Sequence, residues 1–330
     1  MQSIKDTCTR LYNDLNPATL TGAIDVIVVE QVDGKTYLSS PFHVRFGKSG
    51  VALRPNGTIV DIEVNGNPVP DMHMKLDDTG TATKFFIKSA SEEENVSLPV
   101  NDAVKFLNLK KGSNEIQFSV TSAYQGTAKC FGHIFLWCHS DKIVISDIDG
   151  TITKSDVRGQ VLTMIGYDWS QSDVAKLFTK IAKNGYHIVY LSARAIGQAS
   201  TTKGYLMSVK QDEENMPHGP IFLNPTSLAN AFHLEVIEKK PESFKIACLQ
   251  TIRNLFPKAT NPYPFHAGFG NRVNDIDAYE AVGIPISRNF TINAKGELLT
   301  KPDDQNQDIK TSTYGNMSSI VDHVFPNLTL

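Results

Sequence analysis

An acidic pair directly after an apolar segment is the strongest indication of fold in this chain. Asp147 and Asp149 follow residues 142–146, whose β-branched side chains predict a buried strand. Residues two apart on a strand leave on the same side, and Gly150 allows a tight turn behind them. Open α/β sheets bind ligands at the carboxyl ends of their strands, so the pair predicts a site for catalysis or a divalent cation. The alternative is a surface or calcium-type turn, but a solvated turn does not need a buried strand before it.

The composition is that of a folded protein long enough for two domains. The 330 residues are 41% hydrophobic and 20% charged, and the formal charge of −3 does not favour nucleic acid as a partner. Four cysteines without a C-x-x-C pair indicate a reducing compartment and argue against structural zinc. If Cys130 and Cys138 share one strand, they are too far apart for a disulfide. No apolar run is long enough to predict a membrane span.

The first half of the chain, to about residue 140, predicts β-structure. Hairpin-type turns are predicted at Asp33-Gly34 and Asn65-Gly66. Residues 89–99, which include three consecutive glutamates, predict a solvated loop. Short strands at regular spacing predict a β-sandwich. The predicted strands are residues 23–29, 36–38, 59–64, 115–120 and 133–137.

After Lys142, strands alternate with helices. The first helix is predicted to have Ser172 as its N-cap and to stop at Asn184-Gly185. This alternation predicts a parallel sheet with right-handed crossovers, and therefore two domains, 1–140 and 141–330. The predicted strands are residues 143–146, 186–191 and 265–269, and the predicted helices are residues 174–182 and about 242–257.

A short amphipathic helix is predicted near the N-terminus, ending before Pro17. Lys5, Asp6 and Arg10 interrupt any apolar core, so the segment is not a secretory signal. Two interpretations stay open: the helix lies in a membrane interface, or it packs on its own domain. The apolar face consists of Ile4, Cys8, Leu11, Tyr12 and Leu15.

Four groups of polar residues follow predicted strands or begin a predicted helix. A single group of this kind usually has no function: an isolated serine is most often a loop hydroxyl, an isolated lysine a solvated helix residue, and a Gly-Asn-Arg segment a turn. Their shared placement at the ends of elements raises the weight of all four together. In chain order they are Asp147 with Asp149, Ser192 with Arg194, Lys245, and residues 268–275.

This order resembles the haloacid-dehalogenase superfamily of phosphotransferases, which has an Asp-x-Asp pair, a Ser or Thr, a Lys and an acidic loop. Longer segments resemble the lipin family of phosphatidate phosphatases, and the resemblance covers nearly the whole chain. The catalytic half is similar at residues 147–156, 191–195, 235–245 and 269–272. The β half is similar at residues 15–20, 40–48, 71–76 and 124–127.

The resemblance implies Mg²⁺-dependent hydrolysis of phosphatidic acid to diacylglycerol and phosphate, in glycerolipid, triacylglycerol and phospholipid synthesis. Asp147 is expected to attack phosphorus and form an aspartyl-phosphate, and Asp149, with a raised pKa, to protonate the leaving oxygen. Ser192, Lys245 and Thr151 are expected to bind the phosphate, and Arg194 either reaches it or braces the loop. Mg²⁺ is expected on the Asp147 side chain, the Asp149 backbone carbonyl and either Asn271 or Asp275, with that choice left open.

The resemblance also implies a fold. It is a Rossmann-like α/β haloacid-dehalogenase catalytic domain with a parallel sheet and a minimal cap, beside an immunoglobulin-like β-sandwich. The absence of a long insertion after Thr151 predicts an uncapped cleft, which suits a phosphate presented at a bilayer surface. Lys239 and Lys240 could add attraction for an anionic lipid, or they begin a solvated helix.

The resemblance favours the interpretation that the N-terminal helix contacts a membrane, because the family uses its N-terminus in this way. The expected partners are phosphatidic acid and a membrane surface, without nucleic acid. The expected location is cytoplasmic, peripheral on the endoplasmic reticulum or nuclear envelope membrane. The family's basic linker is missing, and residues 158–162 lack the first leucine of its coactivator motif, so those properties are not carried over. The alternatives are a phosphatase of the same superfamily acting on a soluble phosphomonoester, and a non-catalytic scaffold.

Overall fold

The chain consists of two structural units. The first contains Met1–Trp137, Arg194–Ser200 and Leu223–Glu235, and the second contains Cys138–Ala193, Thr201–Phe222 and Val236–Leu330. The structure is a computed structural model that describes residues 21–47, 56–88, 95–122, 126–154, 170–225, 241–293, 295–302 and 310–328. The predicted N-terminal helix and the Lys239-Lys240 pair lie outside these residues.

The described part of the first unit is built almost entirely of strands. A short helix, α1 (Val100–Ala103), continues into a 3₁₀ turn at Val104–Phe106. The strands are β1 (Gly22–Ala23), β2 (Val26–Glu30), β3 (Tyr37–Ser39), β4 (Val44–Arg45), β5 (Ile59–Val64), β6 (Asn67–Pro68), β7 (Met72–Lys75), β8 (Thr81–Ala82), β9 (Phe85–Lys88), β10 (Asn95–Leu98), β11 (Gly112–Ser122) and β12 (Gly126–Cys138). Among the described residues the larger sheet has the order β10-β9-β7-β5-β11-β12-β2-β3, with β6 on β5, and the smaller sheet has the order β1-β4-β8.

The two sheets of the first unit share one hydrophobic core. Along β5 the side chains alternate, with Val60, Ile62 and Val64 buried and the acidic residues between them turned outward. Phe118 on β11 pairs with Ile62 on one side and with Cys130 on the other. The smaller sheet contributes Val44 to the same core. This alternation is the pattern from which the β half was predicted.

The predicted single strand over residues 23–29 is wrong in one respect. The structure breaks it at Ile24 and Asp25, because β1 pairs with β4 in the smaller sheet whereas β2 pairs with β3 in the larger one. Asp25 is buried at the break, and its carboxylate accepts a hydrogen bond from the backbone N–H of His133 at 2.8 Å. Asp25 is the one charged residue of the predicted strand, and the change of sheet falls at it.

Other predictions for the first unit have mixed outcomes. The turn at Asn65-Gly66 is confirmed, and both residues have positive φ, 51° and 77°. Cys130 and Cys138 share β12 and are both free, as predicted. The predicted loop at residues 89–99 is wrong for Asn95–Leu98, which form β10 by pairing with β9.

The described part of the second unit alternates strands and helices around one sheet. The strands are β13 (Ile143–Asp147), β14 (His187–Ala195), β15 (Lys210–Gln211), β16 (Glu214–Asn215), β17 (Ile221–Asn224), β18 (Phe265–Gly270), β19 (Asn289–Ile292), β20 (Leu298–Thr300) and β21 (Lys310–Ser312). The helices are α2 (Val174–Lys183), α3 (Ala199–Ser208, whose first two residues are counted with the first unit), α4 (Pro241–Arg253), α5 (Val273–Ala281), α6 (Tyr314–Ser319) and α7 (Val321–Val324), with a 3₁₀ turn at Ile286–Arg288. A 3₁₀ turn at Ile196–Gln198 belongs to the first unit.

The sheet of the second unit has the order β17-β14-β13-β18-β19-β20-β21, and β15 pairs only with β16. The predicted parallel arrangement is confirmed at its centre, where β13 runs parallel to β14 and β18, and β18 to β19. Beyond β19 the pairing is antiparallel through β20 and β21, which the sequence pattern did not predict. Antiparallel edge strands are common on otherwise parallel sheets.

The two helices predicted in the second unit are both present and begin close to the predicted positions. Helix α2 buries the predicted stripe, including Leu177 and Phe178, and ends before Asn184 and Gly185, which has a φ of 93°. The predicted cap at Ser172 is wrong: Asp173 is the N-cap, with φ of 60° and no side-chain capping bond. Helix α4 stops at Arg253 rather than near residue 257. Within the described ranges, no helix is long and apolar enough to cross a membrane.

Candidate active site

The register of three parallel strands brings the predicted polar groups to one edge of the sheet. Asp147, the last residue of β13, pairs with Leu191 on β14, so Ser192 comes next on that neighbouring strand. On the other side Ser146 pairs with Phe269 on β18, so the loop from Gly270 begins beside Asp147. The carboxyl ends of β13, β14 and β18 therefore form a single cluster, as expected for an open α/β sheet.

Lys245 joins two carboxylates in this cluster. Its Nζ lies 2.5 Å from Oδ1 of Asp147 and 2.5 Å from Oδ1 of Asp275, and all three side chains are buried. Because both oxygens contact the same nitrogen, they are no more than about 5 Å apart. Lys245 is the fifth residue of α4, so its side chain comes from the second turn of the helix.

Asp275 is held in place by the start of its own helix. Its Oδ2 accepts hydrogen bonds from the backbone N–H groups of Asn271, at 3.1 Å, and Arg272, at 3.0 Å. These are N–H groups that a helix start leaves without helical partners. A Cβ added at Gly270 would lie 2.5 Å from Cβ of Asp275, so only glycine allows this close packing.

Hydroxyl groups complete the other half of the cluster. Ser192 Oγ donates to Oδ2 of Asp149 at 2.9 Å, and Thr151 Oγ1 donates to Oδ2 of Asp147 at 3.4 Å. The turn that carries Asp149 and Thr151 has a φ of 89° at Gly150, a backbone conformation that favours glycine. Asp149 is more accessible than Asp147, which is buried.

The surroundings raise the pKa of Asp147 to about 7. Burial away from water is the largest cause, and the negative charges of Asp275 and Asp149 add to it, while Lys245 acts in the opposite direction. Burial also acts to lower the pKa of Lys245, but attraction to Asp147 and Asp275 outweighs it, so the pKa of that ammonium is raised. The sequence led us to expect a raised pKa for Asp149. In the structure it is the pKa of Asp147 that the surroundings raise.

The cluster offers oxygen donors for a cation. Among the described residues, no group of three or more His, Cys, Asp or Glu side chains could hold a metal ion. The set expected from sequence is different in kind, since it combines the Asp147 carboxylate with the backbone carbonyl of Asp149 and with either the amide of Asn271 or the carboxylate of Asp275. Two buried carboxylates, Asp147 and Asp275, share the single cation Lys245, so negative charge exceeds positive charge where water is scarce, which a divalent cation would relieve. Oxygen-only donors of this kind suit Mg²⁺.

Of the other residues predicted for the site or the membrane, Arg194 lies within the described part of the chain and the N-terminal face does not. Arg194 is two positions beyond Ser192 on β14 and is buried. The residues of the N-terminal segment that were predicted to contact a membrane lie outside the described ranges. No sequence pattern pointed to Tyr314, whose hydroxyl donates to the backbone carbonyl of Thr151 at 3.0 Å from 163 positions later in the chain.

An acidic pair at the end of a central parallel strand, with a serine, a lysine and an acidic loop beside it, defines a haloacid-dehalogenase-like protein. The family model described as LNS2 (Lipin/Ned1/Smp2) matches residues 95–326, and that of the lipin N-terminal conserved region matches residues 1–107. The chain therefore belongs to the lipin family, which confirms the resemblance found in the sequence.

Relatives from animals, plants and fungi are similar to this chain. Mouse phosphatidate phosphatase LPIN2 is 48% identical over 78% of the chain and 28% of the relative. Phosphatidate phosphatase PAH1 of Arabidopsis thaliana is 47% identical over 71% of the chain and 25% of the relative. Phosphatidic acid phosphohydrolase 1 of Saccharomyces cerevisiae is 48% identical over 70% of the chain and 27% of the relative. The chain thus spans about a quarter of the length of these curated relatives.

Proposed function

We propose that this chain is a Mg²⁺-dependent phosphatidate phosphatase, which hydrolyses phosphatidic acid to diacylglycerol and inorganic phosphate in glycerolipid synthesis. The observation that carries this function is the buried carboxylate of Asp147, held by Lys245 beside the hydrogen-bonded pair of Asp149 and Ser192. The relatives that share about half of its residues over most of the chain are named for this activity.

Asp147 is the proposed nucleophile. One of its carboxylate oxygens forms a bond to phosphorus in line with the ester oxygen, and the bond from phosphorus to that oxygen breaks. The product of this step is an aspartyl-phosphate, so one difficult substitution becomes two easier ones. Lys245 and the Thr151 hydroxyl, which contact the two oxygens of Asp147, support its orientation for attack.

Asp149 is the proposed acid and base. The electron pair of the broken bond leaves with the glycerol oxygen, which is a poor leaving group unless it receives a proton, and Asp149 supplies it. In the second step Asp149 takes a proton from the water that attacks phosphorus and releases Asp147. The Ser192 hydroxyl supports this role because it fixes one oxygen of Asp149 at 2.9 Å.

Four side chains are proposed to hold the phosphate. Lys245 exchanges part of its contact with the two carboxylates for the phosphoryl oxygens, whose negative charge its ammonium stabilises. Ser192 and Thr151 supply hydroxyl groups that can turn toward the same oxygens. Arg194, two positions beyond Ser192, is assigned to the phosphate or to bracing the loop that carries it.

Mg²⁺ is proposed to bind the Asp147 side chain, the Asp149 backbone carbonyl and the amide oxygen of Asn271. When bound, it offsets the negative charge of the phosphate and of the carboxylates around it. Asp275 is assigned to positioning, because one of its oxygens is used by Lys245 and the other by two backbone N–H groups. Of the two residues between which the sequence left the choice open, we therefore favour Asn271.

Membrane contact is also proposed, through the face formed by Ile4, Cys8, Leu11, Tyr12 and Leu15. An enzyme whose substrate stays anchored by its acyl chains has to reach the bilayer surface, and an amphipathic helix is one means of doing so. The corresponding location is peripheral, on the endoplasmic reticulum or nuclear envelope membrane.

For the first unit we propose an immunoglobulin-like arrangement, supported by the two sheets that share one core.

Phosphate release from vesicles that contain phosphatidic acid tests the function directly. We expect release that depends on Mg²⁺, is abolished by a chelator and is restored when Mg²⁺ is added back. A water-soluble phosphate ester is the comparison substrate. Equal turnover of the soluble ester and of the vesicles would favour a phosphatase for soluble phosphomonoesters, and no release from either would favour a scaffold.

A further inference from the structure

A cavity of about 330 Å³ lies in the second unit, away from the acidic cluster. Its lining includes Lys142 directly before β13, His266 at the second position of β18 and Arg288 directly before β19. Since these three strands are parallel, all three residues are at the amino-terminal edge of the sheet. Asp147 ends β13 at the opposite edge, five residues or roughly 16 Å from Lys142 along an extended strand. The cavity is therefore separate from the proposed active site.

The cations of this cavity contact neutral acceptors. Lys142 Nζ donates to Oδ1 of Asn261 and to the backbone carbonyl of Tyr263, both at 2.8 Å. Arg288 Nη1 faces Nδ1 of His266 at 3.3 Å. Among the described residues neither Lys142 nor Arg288 is paired with a carboxylate. Two positive groups therefore share one cavity, and the part of the chain that the structure describes places no carboxylate on either of them.

The carboxylate next to Lys142 in the chain has other partners. The adjacent carboxylate, Asp141, pairs with His187 at 2.9 Å and accepts from the backbone N–H of Cys138 at 2.8 Å. A further cation, Arg253, lies over the ring of Tyr263, which lines the cavity, at 5.7 Å. The surroundings of the cavity are thus more positive than its lining alone.

The imidazole of His266 is fixed and can report on an anion in the cavity. Its Nε2 lies 3.1 Å from the carbonyl of Val324, so that nitrogen carries the proton and Nδ1 accepts from Arg288. Its ring packs on Tyr186 at 4.7 Å and on Phe325 at 5.4 Å. Burial and the charges of Arg288 and Lys142 lower the pKa of His266, and burial and Arg288 lower that of Lys142.

We propose that this cavity binds a small phosphate-type anion, held between the Lys142 ammonium and the Arg288 guanidinium. An oxyanion with several acceptor oxygens can bridge a planar guanidinium and an ammonium with charge-assisted hydrogen bonds. The volume is at the lower end of the range for small-molecule sites, which fits a compact anion rather than an extended ligand. This site is independent of the proposed hydrolysis.

Titration of His266 by NMR in the full chain, with and without millimolar inorganic phosphate, tests the site. We expect phosphate to raise the pKa of His266, because an anion beside the ring favours its protonated form. Arg288→Gln should raise that pKa before any phosphate is added and should weaken phosphate binding about tenfold or more. Lys176→Gln is the matched control, since it removes one exposed positive charge on α2, outside the cavity, and should leave the phosphate response unchanged.

Two results would overturn the site. If phosphate shifts His266 equally in the native protein and in Arg288→Gln, only an adventitious ion binds; if it shifts neither, nothing binds. Arg288 is exposed, so its replacement is not expected to prevent folding. Vesicles with an anionic lipid are tested in parallel, and a response to vesicles without a response to free phosphate would assign this face to a membrane and would also contradict the small-anion site.

Discussion

The ammonium of Lys245 lies 2.5 Å from a carboxylate oxygen of Asp147, although 98 positions separate the two residues in the chain. Asp147 ends the central strand β13, and Lys245 reaches it from helix α4. Both side chains are buried, so each charge is tolerated largely because of the other. A cation and a carboxylate held this way are suited to exchange partners with an incoming phosphate.

Asp147→Asn should abolish phosphate release. An amide does not displace the ester oxygen, so we expect the rate on phosphatidic acid vesicles to fall by about 10³-fold or more. Asn has nearly the same size as Asp, so the fold should persist, as circular dichroism and a thermal melt can confirm. The matched control is Asp212→Asn, at an exposed turn with φ of 53°, which should leave the rate unchanged. A rate within a few-fold of the native protein would favour the scaffold alternative.

The stability of the metal-free protein should depend on the proton of Asp147. Its pKa is about 7 in the folded protein, whereas the ordinary value for an aspartate is 3.8, so the folded state binds this proton more tightly than the unfolded chain does. The contribution to stability is complete below about pH 3.8 and is lost as the pH rises through about 7. With a chelator present, the free energy of unfolding of the native protein should include a decrease of a few kcal/mol over this range.

Asp147→Asn should remove that decrease. The amide does not titrate, so its profile of unfolding free energy, measured by urea denaturation between about pH 4 and pH 8, should rise relative to that of the native protein as the pH increases. Parallel profiles for the two proteins would show that the pKa of Asp147 is not raised by its surroundings.

Gly270→Ala should displace the acidic loop. The added Cβ would meet Oδ2 of Asp275 at 2.9 Å as well as its Cβ, so the carboxylate has to leave the Asn271 and Arg272 N–H groups. We expect phosphate release to fall on the order of 10- to 100-fold and the Mg²⁺ concentration for half activity to rise. Gly204→Ala on α3 is the control, because nothing lies within 4 Å of its added Cβ. It should keep full activity and gain up to about 1 kcal/mol of stability.

Deletion of residues 1–15 should separate binding at a membrane from chemistry. If the predicted apolar face contacts the bilayer, the deletion weakens phosphate release from vesicles and spares release from a soluble ester. Flotation with phosphatidic acid vesicles measures the loss of binding directly. Equal loss on both substrates would show that the segment is structural, which is the other interpretation that the sequence allows.

Several elements could be predicted because their signals are local. The apolar segment before Asp147 marked β13, the stripe that includes Leu177 and Phe178 marked α2, and Asn65-Gly66 marked a hairpin. Such signals depend on neighbours within a few residues, so they can be read without a structure. They failed where pairing between distant strands decided the outcome, as at the break at Ile24 and Asp25 and in the antiparallel strands β20 and β21.

The order of residues along the chain was enough to select the residues that we propose carry chemistry and, through the family motifs, to identify the class of protein. The partners of these residues emerged from the folded chain: Lys245 between Asp147 and Asp275, and Ser192 on Asp149. Folding also places the raised pKa on Asp147 and brings Lys142, His266 and Arg288 around one cavity. Burial and electrostatic attraction depend on distance in space, which strand register and crossover helices set and spacing along the chain does not.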